Sequence, residues 1–361
     1  MLNCMSVKTV FEVFMFGSYK KIVFLVFLVT ISSLSSQEKS VDRPRLIDKT
    51  SLKAPASFTK QSVKSAVFDI HMARVTLCSR SFEQGDLAYL EIVPQDESNL
   101  DSIKITYYGK KKSKRTIAYI PVTRLKWGYR AFIPLDPDSD PGKHTVSLYY
   151  KANGREVQKN LVFKVLKRNF EKSTYPLYFK GYSTAGKLKP ETKKFIEESR
   201  IKKDKAFASR EDDYINNSLS HPRDMHYITS SFWAKRTYKR YRRLKNGKRK
   251  RLKDTVKIHR GIDLRGKRGT PVYAMARGKI VLADKLYYEG NMVIIDHGNR
   301  IFSYYMHLDS FSVNEGDIVS SGCELGTVGS TGRSTAPHLH VSLVVAGVQV
   351  DPLSLLVLPI R

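Results

Sequence analysis

What most constrains this chain is the punctuation of its C-terminal third. Short runs rich in β-branched and aromatic residues follow one another there: Val272-Tyr273-Ala274, Lys279-Ile280-Val281-Leu282, Met292-Val293-Ile294-Ile295 and Phe302-Ser303-Tyr304-Tyr305. Turn sequences separate the runs, among them Asp296-His297-Gly298-Asn299, Glu315-Gly316-Asp317 and Gly329-Ser330-Thr331-Gly332. No helical period competes, so the segment predicts an all-β domain, which we place at residues 223–361.

The middle of the chain is also β-patterned. Leu87-Ala88-Tyr89-Leu90-Glu91-Ile92-Val93, Ile103-Lys104-Ile105-Thr106-Tyr107-Tyr108 and Thr145-Val146-Ser147-Leu148-Tyr149-Tyr150 read as strands. Turn signals lie between them, including Asp140-Pro141-Gly142 and the hairpin dipeptide Asn153-Gly154. Strands at this spacing predict an immunoglobulin-like β domain over 66–168. It holds no triad, metal set or phosphate loop, so a spacer or targeting module is its expected role. Residues 169–222 are charged and read as a partly helical connector, with Pro190 in the first turn of a helix running to about Glu198. The fold class is therefore mostly β, two β domains joined by a short helical connector.

The formal net charge of +29 requires a polyanionic partner: nucleic acid, anionic lipid or anionic wall polymer. The N-terminus discriminates among them. Lys20-Lys21 precede the apolar run Ile22-Val23-Phe24-Leu25-Val26-Phe27-Leu28-Val29, and small residues Ser32-Ser33-Leu34-Ser35-Ser36 follow. This pattern is a signal peptide over 1–36, followed by a polar linker over 37–65. The apolar run is short for a bilayer span, and a membrane anchor would follow only if the segment stayed uncleaved. Export to the periplasm, cell envelope or exterior disfavours a dedicated nucleic-acid partner. Cys78 and Cys323 are far apart in sequence and lack a CxxC pattern, so neither a disulfide framework nor a cysteine metal site is implied.

A basic segment, Lys235–Lys253, surrounds Asn246-Gly247 and carries Tyr238 and Tyr241 among its lysines and arginines. It reads as a hairpin with a cationic rim, either a solvated loop or a surface drawn to anionic envelope polymers.

The chemistry concentrates in His259-Arg260-Gly261-Ile262-Asp263, Met306-His307-Leu308 and Pro337-His338-Leu339-His340. Alternate residues of a strand share a face, so His338 and His340 converge and Ser342 continues their row. His259 and Asp263 are too far apart on a straight strand to share one ion. Gly261 between them permits a bend that turns both inward. Imidazole nitrogen and carboxylate oxygen suit zinc, and a catalytic zinc keeps an open position for water. Other histidines can then move protons or steady an oxyanion. Separately, H-x-x-x-D and H-x-H are weak signals. His71, His144, His221, His226 and His297 are assigned the ordinary role of satisfied surface or core residues.

From about His259 to Asp351 the chain resembles the lysostaphin/LytM-type zinc metallopeptidases, which cut peptide cross-links of bacterial peptidoglycan. The resemblance is carried by the three histidine segments above, with Gly269-Thr270-Pro271-Val272, Gly290-Asn291-Met292-Val293-Ile294-Ile295-Asp296-His297-Gly298, Gly329-Ser330-Thr331-Gly332-Arg333 and Val350-Asp351-Pro352. It implies a peptidase sheet of the duplicated-hybrid-motif type, with one Zn²⁺ held by His259, Asp263 and His340. It further implies that His307 and His338 flank the reacting carbonyl and that zinc-bound water is the nucleophile. All five residues are present, which implies an active endopeptidase. A non-catalytic wall-binding protein or hydrolase activator on the same scaffold is the alternative. Three departures stand out: Ala336 replaces a common Gly, Ser231-Phe232-Trp233 replaces Ser-Phe-Gly, and the basic insertion before His259 is long. Trp233 is expected to narrow or line the cleft.

Overall fold

The structure, a computed structural model, describes residues 46–47, 63–95, 100–111, 114–176, 188–223, 227–239, 241–243, 249–251 and 253–361. The expected signal peptide, nearly all of the expected linker and His226 lie outside the described residues. Within them, no helix is long and apolar enough to cross a membrane.

Residues 64–165 form the expected β-sandwich. Strands Lys64–Ile70, Ala73–Ser79, Leu87–Pro94, Gly128–Pro134 and Val122–Leu125 make one sheet, in that order. Arg155–Val165, Gly142–Ala152, Leu100–Lys111 and Lys114–Ile120 make the other. Asn153 and Gly154 both take positive φ, so the predicted dipeptide closes the hairpin between Gly142–Ala152 and Arg155–Val165. Alternation fills the space between the sheets: Val75, Leu77, Leu90 and Ile92 meet Ile105, Val146, Leu148 and Leu161.

The same alternation explains why Leu87–Pro94 is apolar on both parities. Ala88, Leu90 and Ile92 face the sandwich core, whereas Leu87 and Tyr89 face outward. With Phe132 they join the core of the C-terminal domain, packing in one cluster with Ile262, Val272, Ile295 and Leu339. A polar clamp closes this seam. Asp351 accepts from Arg80 Nη2 and Arg168 Nη2, each at 2.8 Å, and Arg80 also donates to Asp86 at 2.7 Å. Both sandwich arginines thus converge on the carboxylate that caps the short helix Pro352–Leu355. The carboxyl of Asp351 is buried, which alone would raise its pKa, but the two guanidinium groups hold it below the usual range.

The C-terminal sheet runs in the order Leu46–Ile47, Ile318–Val319, Gly278–Leu286, Gly290–Asp296, Ile301–Phe311, His338–Val345, Ile262–Arg265 and Ile228–Ser230. One face carries the large core just described. The other carries Leu282, Leu286, Met292, Ile294, Phe302, Tyr304 and Val344. The helix Pro190–Phe207 covers part of this second face. It has Pro at its start as expected and runs nine residues beyond Glu198. Phe195, Ala206 and Phe207 lie on its inner side, with Phe207 edge-on to Phe302 and Tyr304. The uncovered remainder of that face holds the histidines.

A small sheet of Lys172–Pro176, Lys235–Lys239 and Thr255–Ile258 stands beside the site. The basic segment extends from it as the predicted hairpin, Tyr241–Arg243 pairing with Arg249–Arg251.

Candidate metal centre

His338 and His340 open the strand His338–Val345, and Asp263 lies directly across from His340 on the neighbouring strand Ile262–Arg265. Register alone therefore brings a carboxylate beside an imidazole. His259 precedes that strand, and its backbone is bracketed: its N–H donates to Ala234 O at 3.0 Å, and its C=O accepts from Trp233 N at 2.8 Å. Gly261 makes the bend between them. Its importance lies in room rather than in an unusual φ. A Cβ there would come within 2.2 Å of both Val341 O and Ser342 Oγ and 2.7 Å of His340 Nε2.

The result is a tight triangle. His259 Nε2 and His340 Nδ1 each lie 2.9 Å from Asp263 Oδ1 and 3.0 Å from one another. Two ligands about 2.0–2.1 Å from a tetrahedral zinc are about 3.3 Å apart, so the triangle needs a slight opening to take the ion. His259, Asp263 and His340 are the three residues whose donor atoms cluster in the manner of a metal site among the described residues. The donor set of two nitrogens and one oxygen fits zinc.

The outer nitrogens fix the tautomers. His259 Nδ1 lies 2.9 Å from Ser231 O, so that nitrogen carries the proton and Nε2 presents its lone pair inward. His340 is turned the other way round. Its Nε2 contacts Ser342 Oγ at 2.9 Å, and that hydroxyl donates onward to Arg260 O at 3.2 Å, so Nδ1 faces Asp263. Ser342 continues the row as the strand period predicts. Burial lowers the pKa of His340, and desolvation opposes ionisation of Asp263. The two imidazoles beside it nevertheless hold the Asp263 carboxyl far below the usual range.

His307 reaches the site by a backbone irregularity. In Ile301–Phe311, Phe302 and Tyr304 face the helix side, so simple alternation sends His307 to the opposite, core side with Tyr305. Between the pairs Val293↔Tyr305 and Asn291↔Leu308, two residues oppose one, and His307 takes a φ of 65°. This bulge turns the ring back to the site face, where its centroid lies 4.9 Å from that of His338. His307 Nδ1 donates to Thr331 O at 2.9 Å and His338 Nδ1 to Ala336 O at 2.8 Å, leaving both Nε2 atoms as bases. Burial, reinforced by the neighbouring imidazoles, pushes His307 down to about 4 despite the Thr331 carbonyl. It is neutral at pH 7. His338 Nε2 is 3.7 Å from Asp263 Oδ1. The five sequence-predicted residues thus gather in one place.

Three of the other histidines have partners of their own, and His71 is exposed. Buried His144 contacts Tyr107 OH and Asp140 O, and buried His297 contacts Arg277 O and Ser303 Oγ. His221 Nδ1 lies 2.5 Å from Arg223 O. Cys78 and Cys323 are buried and unbridged.

Trp233 does not line the cleft as expected. It is buried in the seam, against Phe170 and Phe232, and its Nε1 donates to Asp138 Oδ1 of the sandwich at 3.2 Å. Its φ of 60° is the left-handed conformation that explains Gly at this position in the resembling family. Here a tryptophan keeps that turn and adds packing between the domains.

Sequence reasoning missed the groups around the ligands. Ser230 Oγ sits 3.1 Å from His259 Nδ1 and accepts from Arg236 Nη2 at 2.5 Å, while that guanidinium stands 3.7 Å from Asp263 Oδ2. Arg236 was hidden within a run of cations, and backbone acceptors such as Thr331 O leave no side-chain signature.

The profile of Peptidase family M23 matches residues 257–352, a span that contains all five residues. Among curated proteins, the chain is 44% identical over 92 residues to peptidoglycan DD-endopeptidase ShyA of Vibrio cholerae, covering 26% of this chain and 21% of that one. It is 45% identical over 100 residues to DD-carboxypeptidase/endopeptidase Mpg of Neisseria meningitidis, covering 28% and 23%. To lysostaphin of Staphylococcus staphylolyticus it is 44% identical over 90 residues, covering 24% and 19%. The chain thus spans less than a quarter of the length of these relatives.

Proposed function

Residues 257–352 belong to peptidase family M23, and from that premise we propose that the chain is an exported zinc endopeptidase that hydrolyses peptide cross-links of peptidoglycan. The observation that carries this reading is the triangle of His259, Asp263 and His340, with neutral His307 beside it. The two tautomer-fixing contacts on His259 and His340 support the same assignment, because each turns a lone pair toward Asp263. Bound there, zinc would supply Lewis acidity and bring a water pKa toward neutrality.

The chain's own residues account for the rest. His338 Nε2 and His307 Nε2 lie on the substrate side of the site. The Nε2 that takes a proton from the attacking water becomes a donor, and it then steadies the developing oxyanion or returns that proton to the leaving amine, while the other Nε2 accepts a hydrogen bond from the water and orients it. Both rings are held by backbone carbonyls, so they need no reorientation during turnover. The domains proposed are those expected from the sequence, and the basic segment Lys235–Lys253 holds the enzyme on anionic envelope polymers. The substrate assignment places it in the cell envelope, whether periplasmic or outside the cell.

The test is digestion of purified peptidoglycan by the full chain, with and without a chelator, followed by mass spectrometry of the released peptides. Loss of activity with chelator, restoration by zinc and inactivity of His340→Ala are expected. Wall binding without release of any product would refute the reading and favour a non-catalytic wall protein.

A further inference from the structure

Arg236 and Lys257 are direct cross-strand partners in the small sheet beside the metal centre. Direct partners project from the same face, and like charges so placed repel. Lys257 also lies close enough to Arg333, on the loop before His338, for that charge to weigh on it. Sequence and register have therefore collected cations on the rim next to Asp263.

Asp263 neutralises this rim only in part. Its Oδ1 is shared by His259 and His340, and its Oδ2 is 3.7 Å from Arg236 Nη2. A charge-assisted N–H···O⁻ bond is about 2.7–2.9 Å, so the guanidinium stands back from the carboxylate. One donor of Arg236 is used on Ser230 Oγ, and the side chain remains one-third exposed, at 33%. Among the described residues the other side-chain donors of Arg236 have no hydrogen-bond acceptor, and the Lys257 ammonium has neither hydrogen bond nor ion pair. A divalent ion, Asp263, Arg236 and Lys257 together carry a charge of about plus three, in a site whose proposed substrate must approach.

We infer that Arg236 and Lys257 form a carboxylate-binding subsite beside the metal centre, and that the preferred substrate is a peptide with a free carboxylate near the bond that is cut. This deepens the endopeptidase reading and rests on it. The planar fork of Arg236, pinned at one end by Ser230, presents its remaining N–H groups to the anion, and Lys257 adds charge from across the strand. Arg236 binds substrate and also borders a metal ligand, whereas Lys257 acts on substrate alone.

The experiment uses the full chain and a cross-linked stem-peptide dimer in two forms, one with its free carboxylates and one with those groups converted to carboxamides. Binding is measured on chelator-stripped protein and turnover on zinc-loaded protein. Wild type is expected to prefer the carboxylate form by about 10- to 100-fold in both assays. Arg236→Gln and Lys257→Gln should each move that ratio toward one while the zinc content stays at wild-type level. Equal binding of the two forms by wild type, or a ratio retained in both variants, would overturn the subsite. If Arg236→Gln loses zinc, Lys257→Gln decides the matter by its ratio. Discrimination by the stripped protein without any turnover after zinc loading would defeat the endopeptidase reading and leave the subsite standing.

Discussion

Replacing Gly261 with alanine tests how the site is built. The added Cβ would lie 2.2 Å from Val341 O and Ser342 Oγ and 2.7 Å from His340 Nε2, where ordinary contact begins at 3.4 Å. Something must retreat by about 1.2 Å, taking contact distances at the scale used for packing. Val341 cannot, because it is paired on both sides, with Tyr305 and with Ile262. Ser342 holds the outer nitrogen of His340, so moving it turns a ligand. The segment carrying His259 therefore shifts, in a site that tolerates about 0.2 Å. We expect metal affinity to fall about 100-fold, or about 2.7 kcal/mol, and the fold to lose about 1–3 kcal/mol from overpacking. Competition against a chelator of known affinity measures the first, and urea unfolding the second. Gly266→Ala is the control, since the atoms nearest its Cβ would belong to the side chain of Val328, the first at 3.0 Å. Metal affinity in Gly261→Ala within about two-fold of wild type would refute the argument that this glycine is there for close approach.

Two further predictions concern stability. Asp351→Ala strips the shared partner from Arg80 and Arg168 and removes the cap that Leu353 N uses, so equilibrium unfolding should show a loss of about 3–5 kcal/mol; a loss below 1 kcal/mol would mean the seam is not held by this clamp. In metal-free protein, His307 falls from 6.5 to about 4, so the unfolded chain binds more protons between those values. Stability is then fully present above about pH 6.5 and is lost as pH falls toward 4, by about 3 kcal/mol from this residue. Buried His340, also lowered, adds to the same slope. Asp263, whose pKa is depressed, contributes its loss only below the ordinary carboxylate range. Urea midpoints measured from pH 8 to 4 should decline through that window and flatten in His307→Gln; an equal slope in the variant would show that His307 is not the buried neutral group described.

The amino-acid sequence by itself determined the β class, the hairpin at Asn153-Gly154 and the pairing of His338 with His340 on one face. Those features follow from local periods and turn chemistry, which need no knowledge of distant contacts. Leu87–Val93 was legible as a strand and Gly261 as a bend, but not the second core behind the strand or the Val341 carbonyl over the glycine. The resemblance named His307, but only the tertiary structure showed how it reaches the site, because a left-handed bulge overrides the two-residue period that would have sent it into the core. It alone placed Trp233 in a domain seam rather than the cleft, and it singled out Arg236 from a dozen similar cations. The physical reason is common to all three. A side chain's direction and partners depend on register shifts and on surfaces brought together from far along the chain, and neither is written in the spacing of residues.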